Sequence, residues 1–456
     1  MNGYKNKFLP LFNRNNLKQR PRLLKIVENI GWLFFDQILR MGVSLIVGIW
    51  VARYLGPAQY GLLNFVIAFL FLFNAISMMG MRDIVVRDIV REPECADRTL
   101  GTAFVMQLLG GMASLLLAVV IIAWLRPEDG LVKLMVAVLG SGMILRATEV
   151  IKYWFESQVL SKYTVWVENI AVLALACVKA ALILLAAPLM AFVWAIFAEA
   201  VLVAVGLMAV YAWRSGSFFN WQARLDRAKS LFAESWPMFL SALAVMVLMR
   251  VDQIMLGQMI DDEAVGIYAA AVRISELWYF IPAVIVASVF PAIIEAKKQN
   301  ESFYYKRLQK LYDVLVVLAI GIALPMTFLS DWMILLLFGQ AYEQAGTVLA
   351  IHIWGAIFVF FGMAWGKWMV IEGFQSTMFK MNLMSLMANI SLNFILIPRY
   401  GATGAAIATA ISYSLGHTVF ALFFKNQRKA GFDNRKMTIC DNPILTTLER
   451  TFSYSW

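Results

Sequence analysis

Asp36 and Arg40 stand four residues apart inside a long apolar run, a spacing that puts a carboxylate and a guanidinium on one face of a helix. Further ionisable residues interrupt apolar runs in the same way: Arg146 and Glu149, Glu168 and Lys179, Glu199, Arg250 and Asp252, Arg273 and Glu276, Lys367 and Glu372. A charge at mid-bilayer costs about 2.5–3.5 kcal/mol on insertion scales, so each needs a partner or a wet cavity. Pairs three or four apart, such as Asp36/Arg40, Arg146/Glu149 and Arg273/Glu276, can neutralise one another on one helix face. Arg250 and Asp252 are only two apart and point to different faces, so each is expected to meet another helix or water. Arg53, Lys179, Arg250 and Arg273 fall toward the outer half of their apolar runs, with Arg40 nearer the middle. Converging, these five would make a cationic cavity for an anionic substrate such as a pyrophosphate headgroup, because a planar guanidinium binds phosphate bidentately and stays protonated. Asp36, Asp252, Glu199 and Glu276 could instead carry a coupling proton or Na+.

No other chemistry competes. Cys95, Cys177 and Cys440 lie far apart with no CxxC spacing and read as free thiols, and His352 and His417 are isolated. Neither a P-loop nor a nucleophile motif is present, so no metal, cofactor or ATP-driven step is expected.

The elements that position these charges must be membrane spans. Hydrophobic residues make up 61% of the 456 residues and charged residues 15%, against about 45–50% and about 25% in soluble domains. Apolar stretches recur along the length, each able to cross about 30 Å of hydrocarbon, and about twelve are expected. Their approximate bounds are 30–55, 61–81, 100–125, 131–151, 163–187, 190–213, 233–256, 266–294, 311–329, 346–371, 378–397 and 402–424. The short apolar segment Trp332–Phe338 reads as an extension of the ninth span or an interfacial turn.

The net charge of +10 does not point to nucleic acid, because the basic residues lie in short loops and tails. Lys and Arg crowd the loops after even-numbered spans (Arg82, Arg87, Arg91 and Arg98; Arg214, Arg224, Arg227 and Lys229; Lys297, Lys298, Lys306, Arg307 and Lys310), and the loop at Asp261–Glu263 is acidic. That bias puts both termini in the cytoplasm. The expected organisation is a basic segment 1–29, an N-lobe 30–213, a cytoplasmic linker 214–232, a C-lobe 233–424 and a polar tail 425–456. Six spans plus six give parallel repeats, an all-α polytopic protein of two six-helix lobes related by a pseudo-two-fold along the membrane normal. A degenerate internal repeat agrees: Ala58-Gln59-Tyr60-Gly61 aligns with Glu263-Ala264-Val265-Gly266, each opening a helix after an intramembrane arginine.

Three stretches, ARYLGPAQYGLLNF, DQIMLGQMIDDEAVGIYAAAVRISELWYFIP and NFILIPRYGATGAAIATAISY, together resemble the bacterial polysaccharide-exporter branch of the multidrug/oligosaccharidyl-lipid/polysaccharide superfamily, which includes O-antigen flippases. The resemblance covers roughly residues 29–424. It implies an inner-membrane flippase moving an undecaprenyl-pyrophosphate-linked oligosaccharide, for O-antigen, lipopolysaccharide or exopolysaccharide, by alternating access. Membrane lipids, and the polymerase and chain-length regulator of the same pathway, would be its partners. By span position it places the cationic role on Arg40, Arg250 and Arg273. A drug/cation antiporter of the same superfamily would favour acidic cavity residues over arginines. A membrane polysaccharide polymerase or ligase would need a sizeable outer loop, and the outer loops here are short.

Overall fold

The computed structural model describes residues 21–214 and 218–428. The basic lead-in before Pro21 and the tail beyond Arg428, with Cys440, lie outside the described residues, and so does the side chain of His417.

Among the described residues every element is a helix. In order they are α1 (Pro21–Met78), α2 (Arg82–Arg91), α3 (Ala96–Leu125), α4 (Gly130–Leu145), α5 (Val150–Ser157), α6 (Lys162–Leu184) and α7 (Leu189–Arg214). There follow α8 (Leu225–Met259), α9 (Asp262–Leu277), α10 (Phe280–Gln299), α11 (Glu301–Phe338), α12 (Ala345–His352), α13 (Gly355–Ile371) and α14 (Gln375–Arg428). Short 3-10 turns lie at Pro93–Cys95, Arg146–Glu149, Phe218–Asn220 and Gln340–Tyr342. Most of the long helices are apolar all round, as expected where lipid covers one side and protein the other.

Ten helical stretches are long and apolar enough to cross a bilayer. Two of them contain two spans each. A straight helix of 58 residues would run about 87 Å, far beyond the hydrocarbon, and α1 is broken at Gly56 (φ 71°, ψ 170°) just before Pro57. A positive φ followed by a residue with no backbone N–H ends one helix and starts the next. The 54-residue α14 is divided in the same way at Gly401, after Pro398. The result is a polytopic membrane protein with about twelve spans. The eighth and tenth spans are each interrupted, at Trp278–Tyr279 and Ile353–Trp354, and the fourth relaxes into a 3-10 turn at Arg146–Glu149. Trp332–Phe338 continues α11 without a break.

The chain divides into two compact units, Met1–Gly48 with Phe73–Phe239, and Ile49–Leu72 with Leu240–Trp456. This differs from the division by sequence at two places. Residues 49–72, assigned by sequence to the N-lobe, pack with the second unit, for reasons given below. The segment 214–232, expected to be a linker, belongs to the first unit, and from Leu225 it is the start of α8. Leu231 is fully buried there, and Arg227 donates to Asp88 at 2.6 Å and to Thr99 at 3.3 Å. Arg87 reaches Glu234 at 2.5 Å. These charges, read in sequence as a topology signal, hold the first turns of α8 to α2 and α3.

The first unit carries cores around Met81, Val85, Leu100, Val150 and Leu231, and around Phe155, Leu207 and Tyr211. The second has one larger core, from Val286 through Tyr312 and Leu315 to Phe360, Trp365 and Met381.

Candidate substrate and coupling sites

In the first unit a chain of ion pairs joins three helices. Arg40 on α1 bonds the Asp36 carboxylate one turn earlier, and its other amino group lies 3.0 Å from Glu168 Oε2 on α6. The second oxygen of Glu168 takes Lys152 of α5, which is also 3.9 Å from Glu149. Asp36 is buried, and its Oδ1 has no hydrogen-bond partner among the described residues. Lys179 on α6 and Glu199 on α7 form a separate pair at 3.0 Å. The Asp36/Arg40 pair is therefore made as its spacing predicts. Arg146 and Glu149 instead turn to Met78 and Lys152, although the 3-10 turn they share stacks residues three apart on one side.

In the second unit Arg250 of α8 and Glu276 of α9 meet fork to fork, with Nη1 to Oε1 and Nη2 to Oε2 both 3.0 Å. The Phe71 ring centre lies 5.4 Å from the guanidinium carbon. Side-chain exposures of 21% and 25% leave this pair accessible from one side. The pair expected within α9, Arg273 with Glu276, is replaced by this interhelical one, and Arg273 donates to the Tyr60 hydroxyl at 3.2 Å. Glu372 likewise pairs with Lys297 at 2.6 Å.

Asp252 is different in kind. It is buried, and among the described residues it forms no salt bridge. It accepts from the Tyr268 hydroxyl, from Thr409 Oγ1 at 3.1 Å and from the Gln253 backbone N–H at 2.8 Å. Asn389 Nδ2 reaches Thr409 at 3.3 Å and Asn393 Nδ2 reaches Asn389 at 2.9 Å, while Asn393 Oδ1 is buried without a partner among the described residues. Sequence reading found Asp252 and missed Tyr268, Asn389, Asn393 and Thr409. The available signal was two asparagines four apart within an apolar span. Among the described residues no group of three His, Cys, Asp or Glu side chains could hold a metal ion.

Arg53 is exposed and donates to the Leu336 carbonyl at 3.1 Å, in the last turn of α11. It supplies positive charge where a helix leaves its carbonyls unpaired. Near it the Tyr342 hydroxyl donates to the Ala52 carbonyl at 2.8 Å. Burial and the neighbouring Tyr60 hold this phenol above its usual titration range, so it remains a donor. With Arg273–Tyr60, these bonds tie the Gly56 tip of α1 to α9 and α11, which explains why residues 49–72 pack with the second unit.

Of the five cations proposed from sequence, then, Arg40, Lys179 and Arg250 are paired with carboxylates, Arg273 bonds a tyrosine and Arg53 bonds a helix end.

This architecture is the fold of the MOP-superfamily membrane transporters. An inward-facing multidrug resistance MATE family transporter of that superfamily superposes with a TM-score of 0.71 at 14% identity, over 88% of this chain and 98% of the other. The lipid II flippase MurJ in an inward closed conformation superposes with a TM-score of 0.66 at 14% identity, over 94% and 98%. Residues 26–297 match the family described as polysaccharide biosynthesis protein, and the chain belongs to that family. Among named relatives it is 30% identical over 198 residues to a probable flippase, AglR, of Haloferax volcanii, covering 42% of this chain and 41% of the relative. It is 20% identical over 218 residues to the capsular polysaccharide biosynthesis protein CapF of Staphylococcus aureus, covering 47% and 55%. The chain thus spans about half the length, or less, of the curated relatives it matches.

Proposed function

We propose that this protein is a transporter, not an enzyme, and that it flips a lipid-linked oligosaccharide across the bacterial inner membrane. The substrate is read as an undecaprenyl-pyrophosphate-linked repeat unit of O-antigen or exopolysaccharide, and both termini as cytoplasmic. The observation that carries this reading is Arg250, a guanidinium within an apolar span of a polysaccharide-biosynthesis family member. Its paired N–H edge, held by Glu276 in this structure, matches the geometry of a phosphate, and the side chain is partly exposed. Pairing the pyrophosphate with such a cation lowers the cost of holding it in a low-dielectric region. Arg40 and Arg273 are the next candidates for contact with the headgroup, and movement would follow an alternating-access cycle.

For the coupling ion, H+ or Na+, the reading favours Asp252 among the four carboxylates. Asp36, Glu199 and Glu276 are already neutralised by Arg40, Lys179 and Arg250. Asp252 instead accepts from two hydroxyls and a backbone N–H, a setting suited to a proton or a monovalent cation.

The test is leaflet-resolved assay of lipid-linked oligosaccharide in a deletion strain and in strains carrying Arg250→Ala. Intact repeats accumulating on the cytoplasmic leaflet, with surface polymer lost, support the reading. Repeats that reach the outer leaflet but stay unpolymerised place the protein at a later step. No change in either pool moves the reading to a drug/cation antiporter.

A further inference from the structure

The arginine best placed to hold an anionic headgroup is already holding an anion. Glu276 occupies both terminal nitrogens of Arg250 at 3.0 Å, the same paired edge that a phosphate oxygen pair would use. Phe71 lies against one face of the guanidinium, its ring centre 5.4 Å away. Arg250 cannot vacate the site by losing its proton, since a guanidinium stays charged in proteins. A headgroup that takes this paired edge must displace the carboxylate.

The displaced carboxylate then needs a new partner. Around it, besides Arg250 of α8, lie Tyr279 just beyond its own helix, His352 of α12 and Tyr413 of α14; Asp252 of α8 acts on the same Arg250, and Arg273 is three residues earlier on α9. Arg273 is engaged with Tyr60. His352 bonds Ser275 at 2.9 Å and packs edge-on against Tyr268. Asp252 would add repulsion. A carboxylate that leaves its ion pair with Arg250 within a membrane span is stabilised most simply by taking up a proton. The backbone permits such a departure: Glu276 is in the last turn of α9, directly before the Trp278–Tyr279 interruption of the span.

We propose that Glu276 is an internal stand-in for the substrate's phosphate on Arg250, and that headgroup binding exchanges the two with uptake of one proton by Glu276. The balance is simple. Arg250–Glu276 carboxylate, a phosphate anion and one proton from water become Arg250–phosphate and Glu276 carboxylic acid. Before binding, the stand-in keeps the cation from being bare in the membrane; after binding, it removes a negative charge that would repel the headgroup. This inference rests on the headgroup reading above and adds to it a proton linkage at a carboxylate other than Asp252.

The test is calorimetric titration of the purified full-length protein with inorganic pyrophosphate and, separately, geranylgeranyl pyrophosphate, each in two buffers of different ionisation enthalpy. Protonation of the probe itself is common to all variants, so the readout is the difference between wild type and Glu276→Gln. Wild type is expected to take up about one proton more than the variant, and its affinity to fall by roughly an additional tenfold per pH unit between pH 6 and 8. Glu276→Gln should bind more tightly at pH 8, and Glu276→Asp should keep the uptake. Should Glu276→Gln fail to fold, difference infrared spectra of the wild type decide the matter: a protonated-carboxyl band must appear on probe binding. Equal proton uptake in wild type and Glu276→Gln, or binding with no such band, overturns the stand-in and leaves the headgroup reading standing. Failure of wild type to bind either probe overturns both. Binding of both probes marks the diphosphate as the recognised group, and binding of the prenyl probe alone marks a lipid-linked one; the stand-in holds in either case if the proton is taken up.

Discussion

Gly61 and Gly266 face each other at backbone contact. A Cβ placed on Gly61 would lie 2.6 Å from the Gly266 nitrogen, and one on Gly266 would lie 3.1 Å from the Gly61 nitrogen. These are the two glycines that the internal repeat aligns, one at the start of the second apolar run and one on α9. Residues that match in the repeat are thus partners in space, and only hydrogen at both positions lets the helices meet so closely. Gly61→Ala should destabilise the protein by about 1–3 kcal/mol through overpacking, read as a melting temperature a few degrees lower in detergent. An unchanged melting temperature would mean that the contact yields.

Arg250→Ala should reduce headgroup binding and flipping by roughly a hundredfold or more, since a charge-assisted bidentate pair is worth about 3 kcal/mol. Arg250→Lys should retain part of the activity, because it keeps the charge and loses the fork. Flipping in reconstituted vesicles, normalised to inserted protein, measures both. Wild-type rates in a well-inserted Arg250→Ala protein would remove this residue from the substrate path.

Arg53→Ala should behave differently. Its bond to the Leu336 carbonyl predicts a loss of about 0.3–1 kcal/mol of stability, the usual value of a cation at a helix C-terminus. The flipping rate per folded molecule should be unchanged. A large loss of rate with unchanged melting would return Arg53 to the substrate site.

Asp252→Asn preserves the shape and one acceptor oxygen for Tyr268 and Thr409 while removing the charge. Flipping in vesicles should then respond less to imposed H+ or Na+ gradients, any H+ response that remains being the one linked to Glu276, with Thr409→Val showing a weaker form of the same effect. A wild type insensitive to both gradients would argue against ion coupling altogether.

Asp88 joins Arg87 and Arg227, at 2.7 and 2.6 Å. Asp88→Ala should strand Arg227, while Arg87 keeps Glu234, and loosen the first turns of α8, at a cost of roughly 1–3 kcal/mol. Limited trypsin digestion checks this: cleavage near Arg214 and Arg224 should be several-fold faster than in wild type.

The span pattern was legible in sequence because lipid leaves long apolar runs no other use. The breaks within α1 and α14 were legible as the gaps between the expected spans, at 56–60 and 398–401. What sequence could not supply was pairing between helices. Spacing on one helix gave Asp36 with Arg40 correctly, but it also suggested Arg273 with Glu276, whereas Glu276 bonds a residue 26 positions away. Asp252 stood out as a charge; its partners Thr409 and Asn389 did not, since a neutral side chain in an apolar run carries no signal of its own. Nor could composition distinguish a loose linker from 214–232, whose basic residues answer an acid on α2.

The clasp at the tip of α1 also has a consequence in time. Tyr60 and Gly61 are made early, yet their partners Gly266, Arg273 and Tyr342 emerge from the ribosome more than 200 residues later, about 10–40 s at ordinary elongation rates. Throughout that interval the first hairpin sits in the bilayer with its binding surface uncovered. Biogenesis must therefore shelter a half-built protein, and a ribosome stalled midway would release a chain whose tip is free to pair with the wrong molecule.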